Sequence, residues 1–200
     1  MKQLFVIGGM GAGKSTASKA LIEQGLEFID LDKVGHDIHK WDTVKEEVRE
    51  TFGDDVFDDN GEIIRSALAS KAFANAADTR KLNRIMMPRI EEVFTDRIAE
   101  LEAAGCEAVV VEYSVFKNRS TSLAYSADVV IGVLAPLELR IERAVASGFD
   151  EADVRRRIAQ QITDADRISA SDVVFNNAGT QEELRNEVLA WWAEYKATEL

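Results

Sequence analysis

With one cysteine, Cys106, the 200-residue chain cannot form an internal disulfide. Positive charge is scarce: 24 Lys and Arg stand against 36 Asp and Glu, a formal net charge of −12, which excludes the broad basic face of a nucleic-acid binder. No apolar run approaches the ~18 residues of a membrane span. Residues 1–7 lack the charged segment, apolar stretch and small-residue cleavage site of a secretory leader. Linkers rich in Gly, Ser or Pro, internal repeats and low-complexity tracts are also missing. These absences lead us to expect one cytoplasmic domain, monomeric or weakly oligomeric, with neither nucleic acid nor membrane as partner. What is there is enough apolar sequence, 46%, to exclude disorder and bury one sizeable core.

Strand and helix periodicities alternate, which predicts βα units and a largely parallel sheet. Strands are expected at Gln3–Ile7, Glu27–Asp30, Ala108–Val111, Val129–Leu134 and Val173–Phe175. The two central runs, Ala-Val-Val-Val and Val-Val-Ile-Gly-Val-Leu, are almost wholly apolar, as strands covered on both faces should be. Residues 34–104 carry helical patterning far longer than one crossover helix, so they read as a helical subdomain inserted beside the sheet. The segment 182–199, with Leu184, Val188, Leu189, Trp192 and Tyr195 near helical spacing, reads as core packing.

The strongest local signal is Gly8-Gly9-Met10-Gly11-Ala12-Gly13-Lys14-Ser15-Thr16, which satisfies G-x-x-x-x-G-K-[ST] between an apolar strand and a helical stretch. Glycines let backbone N–H groups turn around phosphate oxygens, and the following helix offers its positive end to the same anion. Gly9, Met10, Gly11, Ala12, Gly13, Lys14, Ser15 and Thr16 are therefore the candidate ATP-binding run. Lys14 is expected to bridge the β- and γ-phosphates and Ser15 to ligate Mg²⁺ through its hydroxyl. Paired glycines after a first strand also suggest a dinucleotide site, but the spacing is not G-x-G-x-x-G and Lys14-Ser15 argues against it. No Asn-Lys-x-Asp is present for reading guanine, and the chain is too short for a motor or transport ATPase. The remaining class is a small kinase transferring the γ-phosphoryl group to a small-molecule hydroxyl. Such an enzyme needs an acceptor-side base, an acceptor-binding insertion and a basic lid.

In order along the chain stand the glycine loop, Phe28-Ile29-Asp30-Leu31-Asp32, Gly53, Asn60-Gly61-Glu62-Ile63-Ile64-Arg65, Ala72-Phe73 and Met87-Pro88-Arg89-Ile90. Ile158-Ala159-Gln160-Gln161 and Ser171 to Thr180 follow. This ordered set resembles the dephospho-coenzyme A kinase family over nearly the whole chain. The resemblance implies a doubly wound, mainly parallel five-stranded α/β P-loop fold spanning 1–200, with a helical acceptor insertion at about 34–104 and a lid at about 137–166. It also implies ATP with Mg²⁺ and dephospho-coenzyme A as substrates, the 3′-hydroxyl being phosphorylated. Asp32 matches the family's base; a carboxylate after a second parallel strand stands at the sheet edge where ligands bind, though it could instead cap the next helix. Arg65 matches an acceptor-binding arginine, and without the resemblance reads as a surface helix residue. Asn177 matches a position near the ATP base, or is a turn residue before Gly179.

Arg140, Arg143, Arg155, Arg156 and Arg157, five arginines in eighteen positions, mark the expected lid. Arg140 is a candidate ATP contact and Arg143 a candidate catalytic cation, while Arg155–Arg157 include ordinary solvated pairs. Departures from the family pattern are Met87 in place of His, Ser114-Val115-Phe116 in place of Pro-Leu-Leu, Asn118 in place of an acid, and Ser147 in place of a second lid arginine. They leave open a related kinase with another acceptor, or a weakly active nucleotide-binding protein. Glu112, ending the third strand, is a candidate Mg²⁺-site acid or a plain strand-end carboxylate. His36 and His39 could ligate a metal, but no further ligand joins them.

Overall fold

A computed structural model describes residues 1–200. In chain order its elements are β1 (Lys2–Gly8), α1 (Lys14–Ile22), β2 (Glu27–Asp30), α2 (Leu31–Ile38), α3 (Asp42–Phe52), α4 (Arg65–Ala72) and α5 (Ala76–Ala103). They continue with β3 (Ala108–Glu112), β4 (Val129–Leu134), α6 (Leu137–Ala146), α7 (Glu151–Ala159), α8 (Asp164–Ala170), β5 (Val173–Asn176) and α9 (Gln181–Glu199). A short 3₁₀ turn, Asp54–Val56, follows α3. The five strands form one sheet in the order β2-β3-β1-β4-β5, and every pairing is parallel. No helix is long and apolar enough to cross a membrane.

Strand chemistry follows position in the sheet. β1, β3 and β4 have a neighbour on both sides, and their Leu4, Phe5, Val6, Val109, Val110, Val111, Val130 and Ile131 are all wholly buried. The edge strands β2 and β5 mix exposed Glu27, Phe28, Val174 and Asn176 with a buried Ile29 or Phe175, as strands with one unpaired side tolerate.

The chain divides into two compact units, Met1–Asp30 with Ala99–Leu200, and Leu31–Ile98. In the first, Leu4, Val6, Ala17, Leu21, Val110, Ile131, Phe175, Leu184, Val188 and Trp192 share one core. The C-terminal helix α9 starts with a reciprocal cap, in which Glu183 N–H donates to Thr180 Oγ1 and Thr180 N–H to the Glu183 carboxylate at 2.7 Å. Its Trp192 is 4% exposed, and Trp191 stacks on Tyr195 with ring centres 5.2 Å apart.

The second unit holds α2, α3, α4 and most of α5. Its core joins Ile38, Val44, Val48, Phe52, Val56, Leu68, Leu82, Ile85 and Met86. Pro88 lies inside α5 and removes the N–H that Arg84 would receive there. The Arg89 guanidinium donates to the Ile85 carbonyl at 2.6 Å and pairs with Glu47, tying the proline turn to α3.

Candidate active site

Between β1 and α1 the chain must reverse around a small radius, and glycine makes that possible. Gly11 (φ 74°) and Gly13 (φ 105°) are left-handed. A side chain on Gly11 would run into the Arg140 backbone, and one on Gly13 into the Asn177 amide. Ala12 N–H closes the turn onto the Gly9 carbonyl at 3.1 Å. The cap residue of α1 is Gly13, which offers no side chain to its first N–H groups, and no acid stands in the first turn. This helix end is therefore suited to an outside anion.

Two side chains from distant sequence hold the loop's carbonyls. Arg140 on α6 donates through Nε to Met10 O at 3.0 Å, and Asn177, just past β5, donates through Nδ2 to Ala12 O at 2.8 Å. Met10 N–H donates to Gln161 Oε1 at 3.1 Å. Met10 and Ala12 thus spend N–H and C=O on the protein. These two residues thereby help to hold the loop's shape.

Lys14 opens α1 and is 9% exposed, its stem lying against Gly8. Ser15, exposed in the same turn, donates to Glu112 Oε1 at 3.2 Å, and Ser18 one turn later donates to Glu112 Oε2 at 2.9 Å. The sheet creates this pairing: Glu112 ends β3 opposite Val6 of β1 and Asp30 of β2. A hydroxyl beside a carboxylate is the hard-oxygen donor set that suits Mg²⁺. No group of three His, Cys, Asp or Glu side chains is gathered anywhere, so the protein builds no complete cage, and Mg²⁺ would take its other oxygens from phosphate and water. The same finding leaves His36 and His39 without the further ligands a transition-metal site needs.

In the unit Leu31–Ile98, α2 begins at Leu31 with no break after β2, so Asp32 lies within the first helical turn, exposed, and is not the residue before the helix. Arg65 is the first residue of α4, and its guanidinium meets His36 Nε2 on α2. Both ring nitrogens of His39 are buried without a hydrogen-bond partner. Burial first, then the charges of His36 and Arg65, hold the His39 imidazole below its ordinary pKa.

The segment read as a lid comprises α6, α7 and the start of α8, and it places the arginines unevenly. Arg140 is 4% exposed and Arg167 3%; both donate to Asp164 Oδ1, at 3.4 and 2.6 Å. Burial lowers the Arg140 pKa, Asp164 opposes that, and Arg167 adds to it. Arg140, the candidate ATP contact, therefore sits buried against the Met10 carbonyl of the loop. Arg143 donates to Asn177 O and Gly179 O, each at 3.0 Å. With these two carbonyls it braces the loop after β5. Arg155 pairs with Glu138 and Glu151, while Arg156 and Arg157 share Asp153, all at the surface. All three are the solvated pairs that salt screens. Ser147 ends α6 and returns its hydroxyl to the Arg143 carbonyl at 2.9 Å.

Asn177 is neither exposed nor a simple turn residue: at 3% exposure it links Arg143 to the phosphate loop. Sequence reasoning missed Ser18, Asp164 and Arg167, and gave Gln161, part of the Ile158-Ala159-Gln160-Gln161 run, no role of its own. The repeat of Ser15 at Ser18, three residues on and so on one helix face, was the only local signal for any of them.

A family model described as dephospho-CoA kinase matches residues 4–183. The chain is 38% identical over 187 residues to the dephospho-CoA kinase of Corynebacterium efficiens, covering 92% of each. A crystal structure from Thermus thermophilus shares the fold at TM-score 0.82 and 24% identity, covering 96% of this chain and 97% of that one. The dephospho-CoA kinase of Campylobacter jejuni shares it at TM-score 0.63 and 22% identity, with 96% of each covered. Together with the parallel sheet and its phosphate loop, the match over residues 4–183 and the 38% identity establish that this chain belongs to the dephospho-CoA kinase family.

Proposed function

We propose that the protein transfers the γ-phosphoryl group of ATP to the 3′-hydroxyl of dephospho-coenzyme A, giving coenzyme A and ADP. The observation that carries this is the braced phosphate loop, with Ser15 and Glu112 paired at its helix end, in a chain whose family match runs through both compact units. Gly9, Gly11, Gly13 and the first turn of α1 bind the triphosphate, and Lys14 places its ammonium on the oxygens where charge builds during transfer. Ser15 and Glu112 would hold Mg²⁺, which neutralises charge between the β- and γ-phosphates when bound. Asp32 accepts the proton of the attacking hydroxyl or orients it, and Arg65 binds the anionic acceptor.

The test is ADP release with dephospho-coenzyme A beside adenosine, nucleoside monophosphates and pantothenate-type alcohols, with Lys14→Ala as background. Turnover that depends on dephospho-coenzyme A and vanishes in Lys14→Ala is the expected result. Activity with a different acceptor and none with dephospho-coenzyme A would overturn the proposal.

A further inference from the structure

One residue of the phosphate loop is held on all sides by the segment 137–166. The Met10 carbonyl accepts from Arg140 Nε at 3.0 Å, and the Met10 N–H donates to Gln161 Oε1 at 3.1 Å. The Met10 side chain packs on the cluster of Ile141, Ala144, Val154 and Ile158 from α6 and α7. The same Gln161 oxygen accepts from Arg140 Nη2 at 3.2 Å. Both neighbours are donors, so the oxygen of the Gln161 amide, and not its nitrogen, faces them, and both of its lone pairs are in use. Asp164 fixes the Arg140 end, and Arg167 fixes Asp164.

We propose that Gln161 is a positioning residue for ATP: through Met10 and Arg140 it sets the phosphate loop in its anion-binding shape and ties that shape to the placing of α6–α8. The reasoning is one of donors and acceptors. Without the Gln161 oxygen, the Met10 N–H has lost its acceptor and the peptide is free to rotate, and with it the Gly11 amide that follows. Arg140 then lacks the contact that aims Nε at the Met10 carbonyl. A loop that must be ordered by the ligand binds that ligand less tightly than one already in shape. The inference rests only on the nucleotide half of the proposed reaction, and its test omits the acceptor, so a wrong acceptor does not touch it.

Gln161→Met keeps the length and removes the acceptor; Gln161→Glu keeps both lone pairs and meets Arg140 with a charge. ATP affinity by calorimetry should fall about tenfold in Gln161→Met, the size expected from two unmade hydrogen bonds, and stay within about threefold of wild type in Gln161→Glu. Gln161 is only half-buried, so the ligand-free melting temperature should hold in both variants. Unchanged ATP affinity in Gln161→Met, or equal loss in both variants, would overturn the proposal. So would a lowered melting temperature with ATP affinity intact.

Discussion

Asn177 donates its side-chain amide to the Ala12 carbonyl at 2.8 Å across 165 positions of sequence. On its other side Arg143 donates to the Asn177 carbonyl, and to that of Gly179. The phosphate loop is thereby fastened to the last strand of the sheet. Asn177→Ala leaves the Ala12 carbonyl without its donor in a buried place, at a cost of about 1–3 kcal/mol. Calorimetric melting should show that loss, and ATP binding should weaken with it; an unchanged melting temperature would remove the brace from the account.

Glu112 is the acceptor for both Ser15 and Ser18. Glu112→Gln keeps the shape and removes the charge. Turnover should fall at least about tenfold at limiting Mg²⁺ and recover in part as Mg²⁺ is raised, while thermal stability changes little. Equal turnover at every Mg²⁺ concentration would make Glu112 a plain strand-end carboxylate.

Asp32 stands within the first turn of α2, so removing its charge costs that helix only about 0.3–1 kcal/mol. Asp32→Asn should therefore fold and keep its ATP affinity, while phosphoryl transfer drops by about 10²-fold or more. Single-turnover rates at saturating ATP measure this. Transfer at the wild-type rate would leave Asp32 with a structural role only.

Gly11 is left-handed, and a side chain there would meet the Arg140 backbone, which cannot move without α6. Gly11→Ala should lower stability by at least about 1 kcal/mol and abolish detectable ATP binding. Substituting Gly25, also left-handed but with open space around it, tests backbone conformation alone. Gly25→Ala should destabilise mildly and leave ATP binding unchanged.

The buried His39 imidazole has its pKa lowered in the folded chain, chiefly by desolvation. Below the unfolded value of about 6.5 the unfolded chain takes up a proton that the folded one refuses, so stability falls as pH drops from there toward the folded pKa. The slope from this one group is at most about 1.4 kcal/mol per pH unit. His39→Phe, which fills the space without a titrating nitrogen, should flatten denaturation midpoints between pH 6.5 and 5. An undiminished slope would assign the acid sensitivity to other groups.

How far the sequence reaches depends on the range of the interaction. The phosphate loop was legible because a glycine turn between an apolar strand and a helix is a local matter of φ, ψ and N–H direction. The buried strands β1, β3 and β4 were legible because being covered on both faces leaves only apolar residues there. Their order, β2-β3-β1-β4-β5, was not, since strand order follows from where each crossover packs and no run of residues records it. The arginines show the same limit most clearly. Arg140, Arg143, Arg155, Arg156 and Arg157 look alike in sequence, a basic cluster in an acidic chain. Only the tertiary structure separates Arg140 under the loop, Arg143 on the Asn177 and Gly179 carbonyls, and three arginines held in surface ion pairs. By itself the sequence determined that a phosphate cradle exists and what chemistry it carries. Which side chains hold the cradle in shape was decided by contacts 130 to 165 residues apart, because a carbonyl's donor is whichever group the packed chain brings within 3 Å.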